Sequence, residues 1–381
     1  MALQSSGAIS LANIQTEFGG SNPISLSEYY AGGSYVPSGT SGTNGAVPTS
    51  GTISFNQFYG TSAIPSGQVE YTTPGTYFFI VPAGVTSVCA VVVGGGSGGP
   101  SGGRYSGGAG GALVYKNNIS VTPGTRLKVT VGAGGAGGVA TTSAVTAKWG
   151  QVGGTSSLAW NEGPNPGAFQ ATMAATGGES TYWGSNTYGG IGIATYDGGG
   201  SGGFGKWAPT ISGFAGIGWG GGGGAAGYTG PGGDGAPVAG ALGGASGSGG
   251  GGGGGMYAQG NDEGQDPYTS TWGRGASTGG GGVGIYGQGS NGVGGTYASP
   301  IITGGGGGSG GQTASSRTLN NWSYDAGEDG GPGGAYGGGG APGSAWVRYS
   351  LWRKGGDGGG GAVRIIWGPG RSFPSINTGN V

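Results

Sequence analysis

The sequence predicts a mainly β protein with irregular segments, built in two parts. Residues 1–62 form a small N-terminal module of short helical turns. Residues 63–381 form a β-sandwich or jelly-roll-like domain with an inserted bundle of polyglycine-II helices and long loops. Glycine supplies 111 of 381 residues, against a usual share of ~7%. Aromatic residues make up 10% and charged residues 7%, and disordered chains are usually poor in aromatics. Two apolar patterns divide the chain, a short serine-headed repeat before residue 60 and alternating Val/Ile-rich segments from residue 68.

The repeat reads apolar, Ser, apolar, two mostly polar residues, apolar. Its copies begin at Ile9, Ile24 and Ile53, each followed by a serine, Ser10, Ser25 or Ser54. Serine is a favoured helix N-cap, since its hydroxyl accepts from N–H groups two or three residues on. Each copy therefore predicts an extended entry and one helical turn. The apolar residues Ile9, Leu11, Ile14, Ile24, Leu26, Tyr29, Ile53, Phe55 and Phe58 are expected to close on a small core or dock onto a partner. Gly19-Gly20, Gly32-Gly33 and Gly60 are placed to end the turns in left-handed caps. Pro37 to Gly51 reads as a loop or linker. The strings Gly7 to Phe18, Pro23 to Tyr30 and Gly51 to Tyr59 resemble an N-terminal module common in structural and tail proteins of tailed bacteriophages, which implies attachment to a virion.

From residue 68 the punctuation changes. Gln68 to Tyr71 and Thr76 to Val81 flank Pro74-Gly75; Pro82-Ala83-Gly84 precedes the Val-rich Thr86 to Val93; Leu113 to Tyr115 and Arg126 to Val131 follow. Alternation with Pro-Gly turns argues a sandwich. The last apolar segment, Ala362 to Trp367, is expected to join the same sheet, which would make residues 132–361 one insertion. Cys89 lies in an apolar strand and reads as a small buried hydrophobe.

Glycine runs recur at 94–96, 198–200, 220–224, 249–255, 279–282, 304–308, 337–340 and 358–361 without a collagen period. Polyglycine-II helices have three residues per turn and form no internal hydrogen bonds, so each must bond to its neighbours, and buried N–H and C=O groups require partners. Alternate connections in such a bundle are expected at opposite ends.

Thr73 to Tyr77, Val81 to Val88, Val91 to Gly96, Val121 to Gly124, Val129 to Gly135, Trp149 to Ser157 and Gly358 to Trp367 together resemble the glycine-rich domain of phage tail proteins. In style the region is similar to the polyglycine-II tip adhesins of some T-even-like phages. That resemblance implies loops that contact a bacterial receptor at one end, and a homotrimeric fibre.

The chemistry points the same way. The chain has no His, which removes the Ser-His-Asp triad and histidine metal sites. Two acidic groups, Asp262, Glu263, Asp266 and Asp325, Glu328, Asp329, fit a carboxylate-pair hydrolase or, for the first, a calcium loop. Both lie in Gly/Asn-rich stretches, where turn formation is the simpler reading. No enzyme activity, metal or cofactor is expected. The net charge of −1, with no basic cluster denser than Arg348, Arg353 and Lys354, argues against nucleic acid. Val91 to Val93 is too short to span a membrane, and Met1 to Ser10 reads as no secretion signal.

Segments between glycine runs mix Tyr and Trp with Asn, Gln, Ser and Thr, the composition of binding loops. They supply Tyr182, Trp183, Tyr188, Tyr257, Tyr268, Trp272, Trp322, Tyr324, Trp346 and Trp352 as candidate receptor-contacting residues; the competing role for such rings is to cover the glycine layer. The expectation is a virion tail fibre or adhesin component, made in the bacterial host cytoplasm. It would dock on other tail proteins through residues 1–62 and bind a host glycan or outer-membrane protein. A purely structural fibre segment, collar or capsid decoration is the alternative.

Overall fold

The computed structural model describes residues 2–37, 39–63, 65–101, 106–140, 149–179, 188–193, 196–206, 220–236, 251, 256–259, 274–298, 301–318, 329–343, 345–346, 351–368, 370–376 and 378–379.

The serine-headed copies form the expected turns. The first is α1 (Leu11–Phe18); the others are single 3-10 turns at Leu26–Tyr29 and Phe55–Phe58. The cap is reciprocal in the first copy. Asn13 N–H donates to Ser10 Oγ at 3.2 Å, and Ser10 N–H donates to Asn13 Oδ1 at 2.9 Å. Ser25 N–H donates likewise to Glu28 Oε1 at 3.1 Å, and Ser54 N–H to Gln57 Oε1 at 2.7 Å. A polar residue three positions after each serine is thus part of the repeat, the signature of a capping box. Gly19, Gly32 and Gly60 take φ of 83°, 81° and 71°.

The copies close on one another. Ile14, Tyr29 and Phe58 are fully buried together with Leu3, Phe18, Ala31, Val36 and Val47, and Phe58 meets Phe18 and Tyr29 edge-on at 6.1 and 6.5 Å. The stretch expected as a linker belongs to this unit. It holds the hairpin β1 (Ser41–Gly42) and β2 (Gly45–Ala46) and contributes Val47 to the core, while Pro48 C=O accepts from Ala31 N–H at 3.0 Å.

The second part is built on strands β3 (Gly67–Tyr71), β4 (Gly75–Ile80), β5 (Ser87–Val93), β6 (Leu113–Ser120), β7 (Arg126–Val131), β8 (Ser156–Glu162), β9 (Phe169–Ala175), β10 (Gly192–Ile193) and β11 (Gly198–Gly200). Short pairs follow: β12 (Met256–Gln259) with β13 (Arg274–Ser277), then β14 (Tyr297–Ala298), β15 (Ile301–Ile302) and β16 (Arg317–Thr318), then β17 (Ala345–Trp346) with β18 (Leu351–Trp352). The last strand is β19 (Ala362–Trp367).

Two five-stranded antiparallel sheets pack face to face, in the orders β11-β6-β5-β19-β3 and β10-β9-β8-β7-β4. β19 lies between β5 and β3, with Ala362 opposite Val93 and Trp367 opposite Gly67. Alternation sorts the side chains. Val88, Ala90, Val92, Val114, Val363 and Ile365 face Phe79, Leu127, Val129, Leu158, Trp160 and Met173 of the other sheet. The intervening Cys89, Val91, Val93, Leu113, Tyr115 and Ile366 are also buried, against Ala225, Tyr228, Val283, Ile285 and Phe373. This sheet is therefore covered on both faces, which is why β5 and β19 read as continuous apolar runs.

One expectation is corrected here. The segment 132–361 is not a single insertion, because β8 and β9 are central strands of the second sheet, and β10 and β11 edge the two sheets. The sandwich thus takes its strands from residues 67–200 and 362–367. Ser157, Asn161 and Thr172 break the Val/Ile pattern of β8 and β9, since these strands show one face to solvent.

Beyond the strand ends the chain continues into a polyglycine-II lattice. Gly94 and Ser97 donate to Ala112 and Ala109 at 2.9 and 3.0 Å. Gly95 and Gly98 donate to Gly154 and Gln151 at 2.9 and 3.0 Å, and Gly96 and Gly99 to Gly359 and Gly356, both at 2.8 Å. The partner run repeats every third residue, as a threefold helix requires. Run 221–226 does the same, with Gly221 and Gly224 bonded to Ala236 and Gly233, Gly222 and Ala225 to Thr278 and Gly281, and Gly223 and Ala226 to Gly108 and Gly111. Close approach enforces the composition. A Cβ on Gly98 would sit 2.2 Å from Ala136 O, and one on Gly222 2.2 Å from Gly339 O.

Candidate functional site

The lattice has two unlike ends, and hydrogen-bond register tells them apart. Val93 of β5 and Ala362 of β19 enter it from the sandwich, so Gly94 and Gly361 mark the near end. Gly99, bonded to Gly356 and accepting from Gly138 N–H, marks the far end. At the near end the runs are joined by tight turns. Gly227 N–H donates to Gly230 O at 2.9 Å beside buried Tyr228, and the turns around Gly287, Ser309 and Tyr336 lie on the same side. The described residues Gly99, Gly138, Lys206 and Ala236 are at the opposite, far end of their runs, by their bonds to Gly356, Gly99, Gly107 and Gly221. As expected for alternate connections, successive run ends fall at opposite ends: the turns at Gly227–Gly230, Gly287, Ser309 and Tyr336 lie beside the sandwich, whereas Gly99, Lys206 and Ala236 lie at the far end.

Most sequence-predicted receptor residues belong to the connections between glycine runs. Tyr182, Trp183, Tyr268, Trp272, Trp322 and Tyr324 lie outside the described residues. Tyr257 is on β12, opposite Ala276, and Trp346 and Trp352 are on the β17–β18 hairpin, paired with Leu351 and Ala345. Tyr188 is 62% exposed and meets Phe204 edge-on, ring centroids 5.7 Å apart. Rings near the sandwich play the covering role: Tyr228 is fully buried, stacked on Phe373 at 6.0 Å. Its hydroxyl donates to Gly284 O and accepts from Gly287 N–H, both at 3.1 Å, and burial pushes its pKa up.

Of the acidic groups, Asp262, Glu263, Asp266, Asp325 and Glu328 lie outside the described residues. Asp329 accepts the Lys354 N–H at 3.0 Å, a bond that ties two lattice runs together. Among the described residues no three Cys, Asp or Glu side chains converge as a metal site, and no helix is long and apolar enough to cross a membrane.

The opposite pole of the molecule carries the entry from the N-terminal module. Gly67, where the sandwich begins, pairs with Trp367 at the end of β19 remote from the lattice. Helix α1 is tied to this exit, since Glu17 Oε1 accepts from Ser62 Oγ and Ala63 N–H, both at 3.0 Å. Of the predicted attachment residues, Ile14, Tyr29 and Phe58 are buried in the module core, and Ile9, Leu11, Leu26 and Ile53 are partly buried against it. Ile24 is half-buried, and Phe55 is exposed. At the same pole a cleft of about 680 Å³ is lined by Ile80, Arg126, Glu162, Pro164, Pro166 and Gln170. Arg126 Nε donates to Glu162 Oε2 at 2.6 Å. That bond, with the Gly167 N–H, holds the Glu162 carboxyl down at about 2.

Two buried arginines fasten the last residues across the doubly covered sheet. Arg364 is fully buried, with Nε 3.1 Å from Glu70 Oε1 and its guanidinium 4.3 Å from the Tyr286 ring centre. It shares Gln68 Oε1 and Thr378 O with Arg371. The sequence placed Arg364 in an apolar strand; a lone cation amid AVRIIW was the available signal for this clamp.

Comparison with curated proteins gives no match. The profile of a family described as "Glycine-rich domain" matches residues 72–296, which is more than half of the chain and spans β4 to the middle of the lattice. The chain belongs to this glycine-rich domain family.

Proposed function

We propose that the chain is a tail-fibre or adhesin component of a bacteriophage. In this reading it docks on other virion proteins through residues 1–62 and binds a host-cell surface receptor, a glycan or an outer-membrane protein, through the connections at the free end of the lattice. The observation that carries the reading is the polarity of the molecule. The attachment-like module enters at Gly67, remote from the lattice. The run ends marked by Gly99, Lys206 and Ala236 are at the far side of the lattice from the sandwich; the aromatic-rich connections are read as the receptor-contacting part. A stiff scaffold that presents variable segments on one side is the common design of recognition proteins, because rigidity lowers the ordering cost of binding. The lattice supplies such stiffness, since its bonds run to three neighbours around each run. No catalytic step belongs to this role.

The test is adhesion. Fluorescently labelled full-length protein is mixed with a panel of live bacteria that differ in surface polysaccharide and outer-membrane proteins. The expected result is saturable binding to a subset of strains, together with blocked phage adsorption on those strains. Binding to none would leave the protein as a structural virion component without receptor specificity.

A further inference from the structure

Between residues 198 and 261 the sequence holds two charged side chains, Lys206 and Asp234. The fold brings them together, with Lys206 Nζ 2.8 Å from Asp234 Oδ2. Both side chains remain partly open to solvent, 24% and 38% exposed. They adjoin the Tyr188–Phe204 ring pair. Lys206 Nζ lies 4.9 Å from the Phe204 ring centre, and Asp234 Oδ1 accepts the Phe204 N–H at 2.9 Å. Tyr188 and Phe204 are 62% and 37% exposed.

The four residues come from three separate runs, and lattice bonds fix each backbone. Tyr188 O accepts from Glu179 N–H at 3.0 Å, Phe204 O from Gly235 N–H at 2.9 Å, and Lys206 O from Gly107 N–H at 3.3 Å. Stability gives no reason for this arrangement. A partly exposed ion pair adds little, and rings held in water forgo the benefit of burial. An apolar ring face beside a fixed pair of opposite charges does have a natural ligand. The C–H face of a pyranose stacks on an aromatic ring. Its vicinal hydroxyls can donate to a carboxylate and accept from an ammonium. Because Lys206 and Asp234 neutralise one another, the pair favours a neutral sugar over an acidic one.

We propose that Tyr188, Phe204, Lys206 and Asp234 form a saccharide subsite for a neutral pyranose bearing a vicinal diol. The proposal rests on the adhesin reading, for which it names one ligand class.

The probes are methyl α-D-mannopyranoside, methyl α-D-glucopyranoside and methyl β-D-galactopyranoside at millimolar concentration. Each is tested on the full-length protein by saturation-transfer NMR and by titration. At least one is expected to bind. Tyr188→Ala and Asp234→Asn are each expected to weaken it about tenfold, as loss of an aromatic or charged anchor does, with near-UV circular dichroism unchanged. Asp234→Asn keeps the side-chain shape, so it reports on the site even where Tyr188→Ala perturbs folding. Binding of none of the three sugars, or binding indifferent to both variants, overturns the subsite. Retained cell adhesion alongside either of those results overturns the subsite alone. Sugar binding without adhesion to any cell overturns the adhesin reading and leaves the subsite standing.

Discussion

Replacing Gly96 by alanine places a methyl carbon 2.1 Å from the carbonyl oxygen of Gly338 and 2.5 Å from its carbon. Both are main-chain atoms, so no side chain can swing aside. Relief requires the 337–340 run to retreat by roughly 1 Å in an interior packed like an organic crystal. That run is held by bonds from Gly337, Gly338, Gly339 and Gly340 N–H to Gly360, Gly334, Gly223 and Ser97, at 2.8 to 3.0 Å. A retreat of that size breaks the bond from Gly340 N–H to Ser97 on the Gly96 side and drives the run into its neighbours on the other. Lost bonds at about 0.5–1.5 kcal/mol each and overpacking at about 1–3 kcal/mol make the cost about 2–4 kcal/mol, a large part of an ordinary stability of about 5–15 kcal/mol. Gly360 is the internal control. It lies in a lattice run, its backbone is not left-handed, and a Cβ there meets nothing within 4 Å. Gly360→Ala should stabilise by about 0.4–1 kcal/mol, because alanine has less freedom to lose on folding. The assay is denaturant unfolding followed by fluorescence of the 10 tryptophans. A Gly96→Ala protein within about 0.5 kcal/mol of the parent, an effect typical of an unremarkable surface site, would refute the lattice argument. So would a Gly360→Ala protein as destabilised as Gly96→Ala.

Other perturbations probe other layers. Tyr228→Phe removes the hydroxyl that serves Gly284 O and Gly287 N–H, so it should cost about 1–3 kcal/mol in the same unfolding assay, the penalty of buried groups left unpaired. Glu70→Gln withdraws the carboxylate facing fully buried Arg364, though Glu70 is itself 28% exposed and Arg364 keeps acceptors on Gln68 and Ile285; a loss of about 1–3 kcal/mol is expected. Glu162, held down at about 2 first by its bond to Arg126 and then by the Gly167 N–H, contributes stability that is present above the ordinary carboxylate range. That contribution fades as pH falls through about 2. In Arg126→Met, NMR titration of the Glu162 carboxyl should show its midpoint rising toward the ordinary range; an unmoved midpoint would contradict the assignment. In the N-terminal module, Ile14→Ala should cost about 2–5 kcal/mol, as for other large-to-small core changes, measured by loss of protection in hydrogen exchange over residues 1–62.

Much of the architecture was legible because it obeys short-range rules. The Val-rich segments 87–93 and 362–367 announced strands of one sheet, and only the structure shows both faces of that sheet covered. Ser10, Ser25 and Ser54 announced turns by capping chemistry, though Asn13, Glu28 and Gln57 carried the reciprocal half of that signal. β8 and β9 were harder to see, since Trp160 and Met173 alternate with Asn161 and Thr172 in stretches bounded by glycine. The polarity of the lattice was not legible at all. It depends on which run bonds to which, and a glycine in one run is chemically identical to a glycine in another. The pairing of Lys206 with Asp234 has the same origin, because 27 residues of glycine-rich chain lie between partners that only the lattice register brings together.

The central claim, that the free end of the lattice is the end that meets the cell, can be tested by blocking each end in turn. Cys89 is buried, so single cysteines introduced as Ala140→Cys, exposed just beyond the far-end residue Gly138, or Thr229→Cys, in a turn beside the sandwich, can be biotinylated selectively. Each labelled full-length protein is capped with streptavidin and added to receptive bacteria. A cap at residue 140 is expected to abolish adhesion and a cap at residue 229 to leave it intact. Adhesion that survives the first cap and is lost with the second would contradict it.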